Sequence, residues 1–82
     1  MNKKPVLYVV VPCYNEEEVL PETSARMNEY MDELTAQGKI DAASRILFVD
    51  DGSRDRTWEL IEGLTQAHER VEGLKLAHNA GH

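Results

Sequence analysis

The chain of 82 residues carries 15 acidic and 9 basic side chains, a formal net charge of -6, and 41% hydrophobic residues. This length allows one small domain, and the negative charge argues against binding nucleic acid through its phosphates or an anionic membrane surface. Cys13 is the single cysteine, so an intrachain disulfide is excluded. No apolar run in the sequence approaches the roughly 20 residues of a membrane span, and a cytoplasmic location is predicted.

The first predicted strand runs from Val6 to Val11, where β-branched and aromatic residues follow one another without polar alternation. Such runs are typical of strands that are buried on both faces of a parallel sheet. Pro12 is expected to end the strand, because proline has no N–H group to donate to the ladder. Cys13 to Asn15 then form a short loop at the carboxyl end of this strand.

The first helix is predicted over about residues 16–37, with Asn15 as its N-cap and Gly38 at its end. Pro21 falls in the first turns and is expected to delay the start of the helix or to bend it. Residues at three- and four-residue steps are expected to form its buried face. They are Val19, Thr23, Met27, Tyr30, Met31 and Leu34.

The second predicted strand, Arg45 to Asp50, runs directly into another carboxylate, Asp51, and then into Gly52 and Ser53. Two neighbouring carboxylates repel each other and need donors or a cation, which indicates a binding site at this strand end. Ligands of open parallel sheets sit beyond the carboxyl ends of the strands. Aspartates that cap a turn before glycine are also common, and on this stretch alone that interpretation is equally good.

The second helix is predicted over about Arg56 to His68, with Asp55 as its N-cap. Gly73 is expected to separate it from a short third strand, Leu74 to Ala77. The inner face of the second helix is predicted to carry Trp58, Ile61, Leu64 and Thr65.

The element order β-α-β-α-β predicts an α/β fold with a parallel sheet. Right-handed crossovers would place the strands in the order 3-2-1, as in the first half of a three-layer Rossmann-like sheet. The loop from Tyr14 to Glu16 and the pair Asp50 and Asp51 would then meet at one edge of the sheet. Adjacent strands lie about 4.8 Å apart. This convergence favours a binding site over simple turn capping.

The residues after the first strand do not suit a dinucleotide. That site requires Gly-x-Gly-x-x-Gly, so that backbone N–H groups can approach a pyrophosphate, whereas this chain has Pro12-Cys13-Tyr14-Asn15-Glu16. A neutral nucleoside fits better, because Asp51 can accept hydrogen bonds from a base or a ribose and Tyr14 offers a ring for the base. A diphosphate would need a cation to offset the carboxylates.

Two segments, Val10 to Glu17 and Leu47 to Thr57, together resemble the amino-terminal part of the family 2 glycosyltransferases. These are nucleotide-sugar enzymes of the GT-A fold. The closing segment, Leu76 to His82, is similar to the branch that uses polyprenyl phosphates, the dolichyl-phosphate mannose synthase and undecaprenyl-phosphate sugar transferase type. The resemblance implies that residues 1–82 are the amino-terminal nucleotide-binding portion of such a domain, which they contain incompletely.

The resemblance also implies roles for the matching positions. Pro12 and Tyr14 would border the nucleobase, and Glu16 would face the ribose. Asp51 would hydrogen-bond the base, with Asp50 supporting the ribose or the loop. Asn79 and Gly81 would shape the next loop of the pocket, while His78 stands where the branch often has arginine and His82 where it often has lysine or histidine.

For an intact member, the resemblance implies a UDP- or GDP-sugar as donor, a polyprenyl phosphate as acceptor, and Mg or Mn as cation. The family's metal-binding Asp-x-Asp motif and its catalytic base lie beyond the third and fourth strands and are not found in this sequence. No catalytic or metal-binding residue is therefore assigned, and the chain alone is expected to be inactive. A full-length relative would work in the cytoplasm or at the cytoplasmic face of a membrane.

The sequence leaves two alternatives to this interpretation. A receiver-like signalling module would need its acidic pair after the first strand and an aspartate after the third, but these strands lead into Pro12 and His78. The other alternative is an inert α/β module. It would self-associate through Val6 to Val11, because an apolar, uncharged edge strand is a template for another chain.

Three further side chains receive structural interpretations. Cys13 is expected to be a small buried residue rather than a nucleophile. Arg54 and Arg56 could reach a diphosphate, but surface arginines beside acidic groups are more often ion partners of small energetic value.

Overall fold

The computed structural model describes residues 3–76, which form three strands and two helices in the order β-α-β-α-β. The strands are β1 (Tyr8–Cys13), β2 (Arg45–Asp50) and β3 (Val71–Lys75). The helices are α1 (Leu20–Ala36) and α2 (Thr57–Ala67). Both strand pairings are parallel, and the sheet order is β1-β2-β3. The predicted α/β class, the strand order and the bounds of the second strand are confirmed.

The core lies between one face of the sheet and the two helices. Ile46, Phe48 and Asp50 alternate along β2 and are 0% exposed. Leu20 and Met31 of α1 and Ile61 of α2 belong to the same buried cluster. Both crossovers step to the next strand in the same direction, and right-handed connections then place both helices on one side.

The opposite face of the sheet is not covered by residues 3–76. Val10 is 57% and Tyr8 51% exposed, and Leu74 is also exposed. The prediction that the strands are buried on both faces is therefore wrong for the described residues, because both helices lie on the same side. Residues 3–76 supply the sheet and one helix layer of the predicted three-layer arrangement.

Strand β1 begins and ends two residues later than predicted, and it includes Pro12. The backbone carbonyls of Leu7 and Cys13 accept hydrogen bonds from the backbone N–H groups of Arg45 and Asp51. The backbone N–H and carbonyl groups of the odd-numbered residues of β1 therefore point toward β2. In a parallel strand, alternate residues direct their backbone groups to opposite sides. Pro12 therefore points its missing N–H group toward the open edge, where no ladder bond is lost.

Helix α1 begins at Leu20, four residues later than predicted, with Pro21 in its first turn. Proline is tolerated there because the first N–H groups of a helix have no partner within it. Asn15 is not the N-cap: it has a positive φ of 50° and lies before a separate turn, in which the Glu16 carbonyl accepts hydrogen bonds from the backbone N–H groups of Val19 and Leu20. Gly38, at φ 75°, ends the helix as predicted.

The buried face of α1 is more polar than the sequence pattern predicts. Its buried residues are Leu20, Ser24, Asn28 and Met31, whereas the predicted Val19 and Tyr30 are exposed. Asn28 Nδ2 donates to the Ser24 carbonyl at 2.9 Å, and Ser24 Oγ donates to the Pro21 carbonyl at 3.1 Å. These polar groups are satisfied within the helix, so their burial leaves no donor unpaired.

Helix α2 lies within one residue of the predicted bounds, but the third strand is shifted. It covers Val71–Lys75, so Gly73 lies in the middle of the strand instead of before it. A Cβ at Gly73 would lie 2.6 Å from Ile61 Cγ2 on α2. The glycine is therefore explained by the close approach of helix and strand. Ala77, the last residue of the predicted strand, lies outside the described residues.

Among residues 3–76, neither helix is long and apolar enough to cross a membrane.

Candidate functional site

The candidate site lies at the carboxyl edge of the sheet, where β1 and β2 end side by side. Cys13 and Asp50 form the last register pair of these strands. The backbone N–H of Asp51 donates to the Cys13 carbonyl at 2.9 Å. Tyr14 and Asp51 therefore leave the sheet as neighbours, and both side chains are exposed. The structure brings the two predicted clusters together.

The loops that follow the two strands are joined by a reciprocal pair of hydrogen bonds. The backbone N–H of Asn15 donates to Ser53 Oγ at 2.8 Å. In return, the backbone N–H of Arg54 donates to Asn15 Oδ1 at 2.8 Å. Asparagine tolerates the left-handed conformation that this position requires.

A second set of hydrogen bonds joins the same loops next to the helix starts. The backbone N–H of Glu16 donates to Thr57 Oγ1 at 2.8 Å, and that of Glu17 donates to Asp55 Oδ2 at 3.2 Å. Glu17 Oε1 accepts a hydrogen bond from the Arg56 backbone N–H at 3.2 Å. The two loops therefore form one hydrogen-bonded unit.

The side chains of Asp55 and the fully buried Thr57 accept two of the hydrogen bonds in this second set and also bond to each other. Asp55 Oδ1 accepts hydrogen bonds from the Thr57 hydroxyl and, at 2.9 Å, from the Thr57 backbone N–H. The prediction that Asp55 is the N-cap residue is wrong, because Arg56 occupies that position. The Asp55 carboxylate nevertheless accepts the backbone N–H of Thr57, the first residue of α2.

The hydrogen bonds at Asp55 change its titration. Burial opposes ionisation of this carboxyl, but the hydrogen bonds from Thr57 and from the Glu17 N–H outweigh burial and hold its pKa below the ordinary value of 3.8. Because the folded pKa is the lower one, this contribution to stability is present above pH 3.8 and is lost as the pH falls through the folded value.

The two adjacent aspartates differ in their surroundings. Asp50 is 0% exposed, and its Oδ1 accepts a hydrogen bond from the Ser53 backbone N–H at 3.1 Å. Its Oδ2 is buried without a hydrogen-bond partner among residues 3–76. Asp51 is exposed and directs no side-chain hydrogen bond to the described residues. Asp50 therefore supports the loop from inside, while Asp51 is available to a ligand.

The other predicted site residues flank this pair. Pro12 and Tyr14 are exposed, with Tyr14 at 52%, and Glu16 is half-buried. A cavity of about 410 Å³ lies beside the first loop. Four carboxylates, including that of Glu16, make its lining strongly acidic. The lining residues are Asn15, Glu16, Glu17, Glu18, Val19 and Asp55. Such a surface does not favour a bare phosphate.

Cys13 lies beneath the site and is 3% exposed, as predicted for a small buried residue. Burial raises the pKa of its thiol to about 11, and the carboxylates of Glu16 and Asp50 add to the rise. The thiol is therefore protonated at neutral pH and is not activated as a nucleophile.

The arginines of the second loop are not ion partners of the aspartate pair. Arg56 Nε lies 3.2 Å from Glu59 Oε1 in an exposed bridge, and such bridges are worth little. Arg54 is exposed and contributes its backbone N–H to the loop contact. Within the described part of the chain, no group of three or more His, Cys, Asp or Glu side chains could hold a metal ion. Asn79, Gly81, His78 and His82 lie outside the described residues.

The sequence interpretation missed the residues that join the loops. These are Asn15, Glu17, Ser53, Asp55 and Thr57. The available signal was the composition of both loops, which are rich in residues that bond backbone groups. Their partners could not be paired without the register between β1 and β2.

A parallel sheet built by two consecutive right-handed crossovers, with acidic and aromatic groups at its carboxyl edge, has the architecture of the first half of a Rossmann-like domain. The sequence model described as Glycosyl transferase family 2 matches residues 8–82. The chain belongs to this family.

Relatives of known name support the same assignment. The chain is 54% identical over 81 residues to the uncharacterized glycosyltransferase YkoT of Bacillus subtilis, which covers 99% of this chain and 24% of that protein. It is 34% identical over 77 residues to a dolichyl-phosphate beta-glucosyltransferase of Drosophila melanogaster, covering 92% of this chain and 23% of that protein.

A third relative is an undecaprenyl-phosphate 4-deoxy-4-formamido-L-arabinose transferase of Pectobacterium atrosepticum. It is 39% identical over 74 residues, which cover 89% of this chain and 21% of that protein. Two of the three names therefore refer to polyprenyl-phosphate substrates, and the predicted resemblance to that branch is confirmed. The chain spans about a quarter of the length of the curated relatives it matches.

Proposed function

We propose that this chain is the nucleoside-binding part of a glycosyltransferase that takes its sugar from a UDP- or GDP-sugar. The observation that carries the proposal is the emergence of Tyr14 and Asp51 as exposed neighbours from two register-paired strands. An aromatic ring and a carboxylate that follow adjacent strand ends suit the face and the N–H edge of a base. The acidic surroundings favour the neutral nucleoside over the phosphates.

The remaining roles are those that the resemblance to the family implies for the matching positions. Glu16 is half-buried between the loops and is assigned to the ribose. Pro12 borders the base, and Asp50 supports the loop that carries Asp51. A divalent cation, Mg or Mn, belongs to the proposal for the longer protein, with ligands other than the residues described. No catalytic step is assigned to this chain.

The acceptor proposed for the longer protein is a polyprenyl phosphate. The support is the chain's similarity to two relatives whose names contain dolichyl phosphate and undecaprenyl phosphate. The cytoplasmic location, or the cytoplasmic face of a membrane, stays a prediction.

The test is a nitrogen–proton correlation spectrum of the 82-residue chain, titrated with UDP and then with GDP in the presence of magnesium. We expect the amide peaks of Tyr14, Asp51 and Gly52 to move with one nucleotide and not with pyrophosphate alone. A dispersed spectrum that does not change at millimolar UDP and GDP would show that these residues do not form a nucleoside site.

A second candidate is self-association through the open edge of the sheet. Among the described residues β1 has a neighbour on one side only, and Val10 is 57% exposed. The predicted segment was Val6 to Val11, and the observed β1 overlaps it only from Tyr8 to Val11. Pro12, which follows in the strand, cannot donate across the edge. Only the N–H groups of Tyr8 and Val10 within β1 face outward.

We expect the chain to form dimers in sedimentation at high concentration, and Val10→Lys to shift it toward monomer. Lysine on an edge strand opposes pairing, because its charge would be brought against the partner strand. Glu62→Lys, on the exposed side of α2, is the control. A parent chain that stays monomeric at the highest concentration would remove this candidate.

A further inference from the structure

The two side chains proposed to hold the nucleoside lie on different loops. Tyr14 follows β1 and Asp51 follows β2. Each loop also contains a residue in the left-handed region, Asn15 at φ 50° and Gly52 at φ 77°. A ligand that contacts both side chains needs a fixed distance between these loops.

We propose that Asn15 and Ser53 are positioning residues that fix the relative placement of Tyr14 and Asp51. This inference rests on the proposed function. Asn15 directly follows Tyr14, and Ser53 follows Asp51 after one glycine. The bonds from Asn15 N–H to Ser53 Oγ and from Arg54 N–H to Asn15 Oδ1, both 2.8 Å, therefore connect the chain immediately beyond each binding side chain.

The contact is anchored in the core through Asp50. The Asp50 carboxylate is 0% exposed, and it accepts a hydrogen bond from the Ser53 backbone N–H at 3.1 Å. Ser53 is thus held from inside by its backbone and from the other loop by its hydroxyl. Ser53 therefore links the buried end of β2 to the first loop, beside the bond from the Arg54 N–H to Asn15 Oδ1.

The hydrogen bonds of Asn15 can be removed without unfolding the chain, because they are exposed. The two reciprocal bonds are exposed to solvent, whereas the neighbouring contact between Glu16 and Thr57 is partly buried. Exposed side-chain hydrogen bonds contribute little to global stability, since water replaces them when they break. Their loss should free the loops while the sheet and helices stay folded.

The test compares Asn15→Gly and Ser53→Ala with the parent chain. Glycine keeps access to the positive φ of Asn15 and removes the acceptor with the rest of the side chain, and Asn15→Ala, which has less backbone freedom than glycine, is compared with it. Asn15→Asp and Ser53→Thr restore the bonding groups. Asp41→Ala is the matched control, because it removes a similar exposed bond, from the Ala43 N–H to Asp41 Oδ1 at 2.8 Å, at the amino end of β2.

Two measurements are made on each variant. The first is the backbone order parameter of Tyr14 and Asp51 without nucleotide, which we expect to fall from a rigid value of about 0.85 to below about 0.6 in Asn15→Gly and Ser53→Ala. The second is the dissociation constant for the nucleotide that the parent binds, which should rise about tenfold, equivalent to about 1.4 kcal/mol. The restoring variants should recover both values, and Asp41→Ala should change neither.

Unchanged order parameters in Asn15→Gly and Ser53→Ala would overturn the proposal, as would mobile loops that bind nucleotide with parental affinity. A change of equal size in Asp41→Ala would also overturn it, since the effect would then be global. If the parent binds neither UDP nor GDP, the proposed function fails. The order parameters still decide whether Asn15 and Ser53 hold the two loops together.

Discussion

Replacing Gly73 with alanine is expected to lower the free energy of unfolding by about 1–3 kcal/mol, the usual cost of overpacking a core. The new Cβ would lie 2.6 Å from Ile61 Cγ2 and 3.5 Å from side-chain atoms of Trp58 and Thr65. Ile61 is 0% exposed and packed in the core, so it has no open space to move into. Urea denaturation monitored by Trp58 fluorescence would measure the change.

Gly63→Ala is the matched control for this prediction. Gly63 lies within α2, and a Cβ there would meet nothing within 4 Å. The same substitution should therefore raise the free energy of unfolding by about 0.5–1 kcal/mol, since alanine is the better helix former. If Gly73→Ala and Gly63→Ala changed the free energy of unfolding in the same direction, the close packing of α2 on β3 would be contradicted.

Replacing Asp51 with alanine is expected to weaken nucleotide binding by about 10- to 100-fold with little change in stability. Hydrogen bonds to charged groups contribute about 1.5–3 kcal/mol, and the exposed Asp51 side chain makes none to the described protein residues. The measurement is the dissociation constant from the nucleotide titration of parent and variant. The thermal midpoint of each is recorded alongside.

Glu69→Ala controls for the loss of one negative charge. Glu69 is an exposed carboxylate in the turn before β3, at the opposite end of the sheet. This variant should bind nucleotide with parental affinity. Equal affinity of the parent and Asp51→Ala would remove Asp51 from the site, and an equal loss in Glu69→Ala would mean that net charge causes the effect.

Much of the fold could be predicted because its strongest signals are local. Ile46 to Val49 form a short apolar run bounded by polar residues, and this fixed β2 to its correct bounds. The order of the strands followed from the handedness of the crossovers. The edge at which Tyr14 and Asp51 meet then followed from the parallel direction of the strands.

The predictions were wrong where the structural role of a residue depends on its neighbours in space. Pro12 was expected to end β1, but a proline on an edge strand loses no ladder bond when its nitrogen faces outward. Gly73 was expected to separate two elements, whereas the approach of Ile61 explains it. Neither fact can be read from the chain order.

The candidate site shows the same division. The sequence indicated Asp50 and Asp51 as a pair, but burial separates their roles, with Asp50 inside and Asp51 outside. The start of α1 was predicted too early because the side chain expected to cap it, Asn15, accepts a hydrogen bond from the other loop instead. Predicting such contacts requires knowledge of the register between β1 and β2, which are separated in the sequence by a whole helix.

The sheet order β1-β2-β3 also has a consequence for the folding pathway. Each strand pairs with its nearest strand in the sequence, so no strand has to be inserted between two that are already paired. Each of these pairings closes a shorter loop than a pairing of β1 with β3 would, and the entropic cost of closing a loop rises with its length. As the chain leaves the ribosome, β1, α1 and β2 can associate first, and α2 with β3 can then add to the exposed edge of β2. The hydrogen bonds that Asn15 makes with Ser53 and Arg54 can thus form before β3 is in place, whereas the bond from the Glu16 N–H to Thr57 forms when α2 adds.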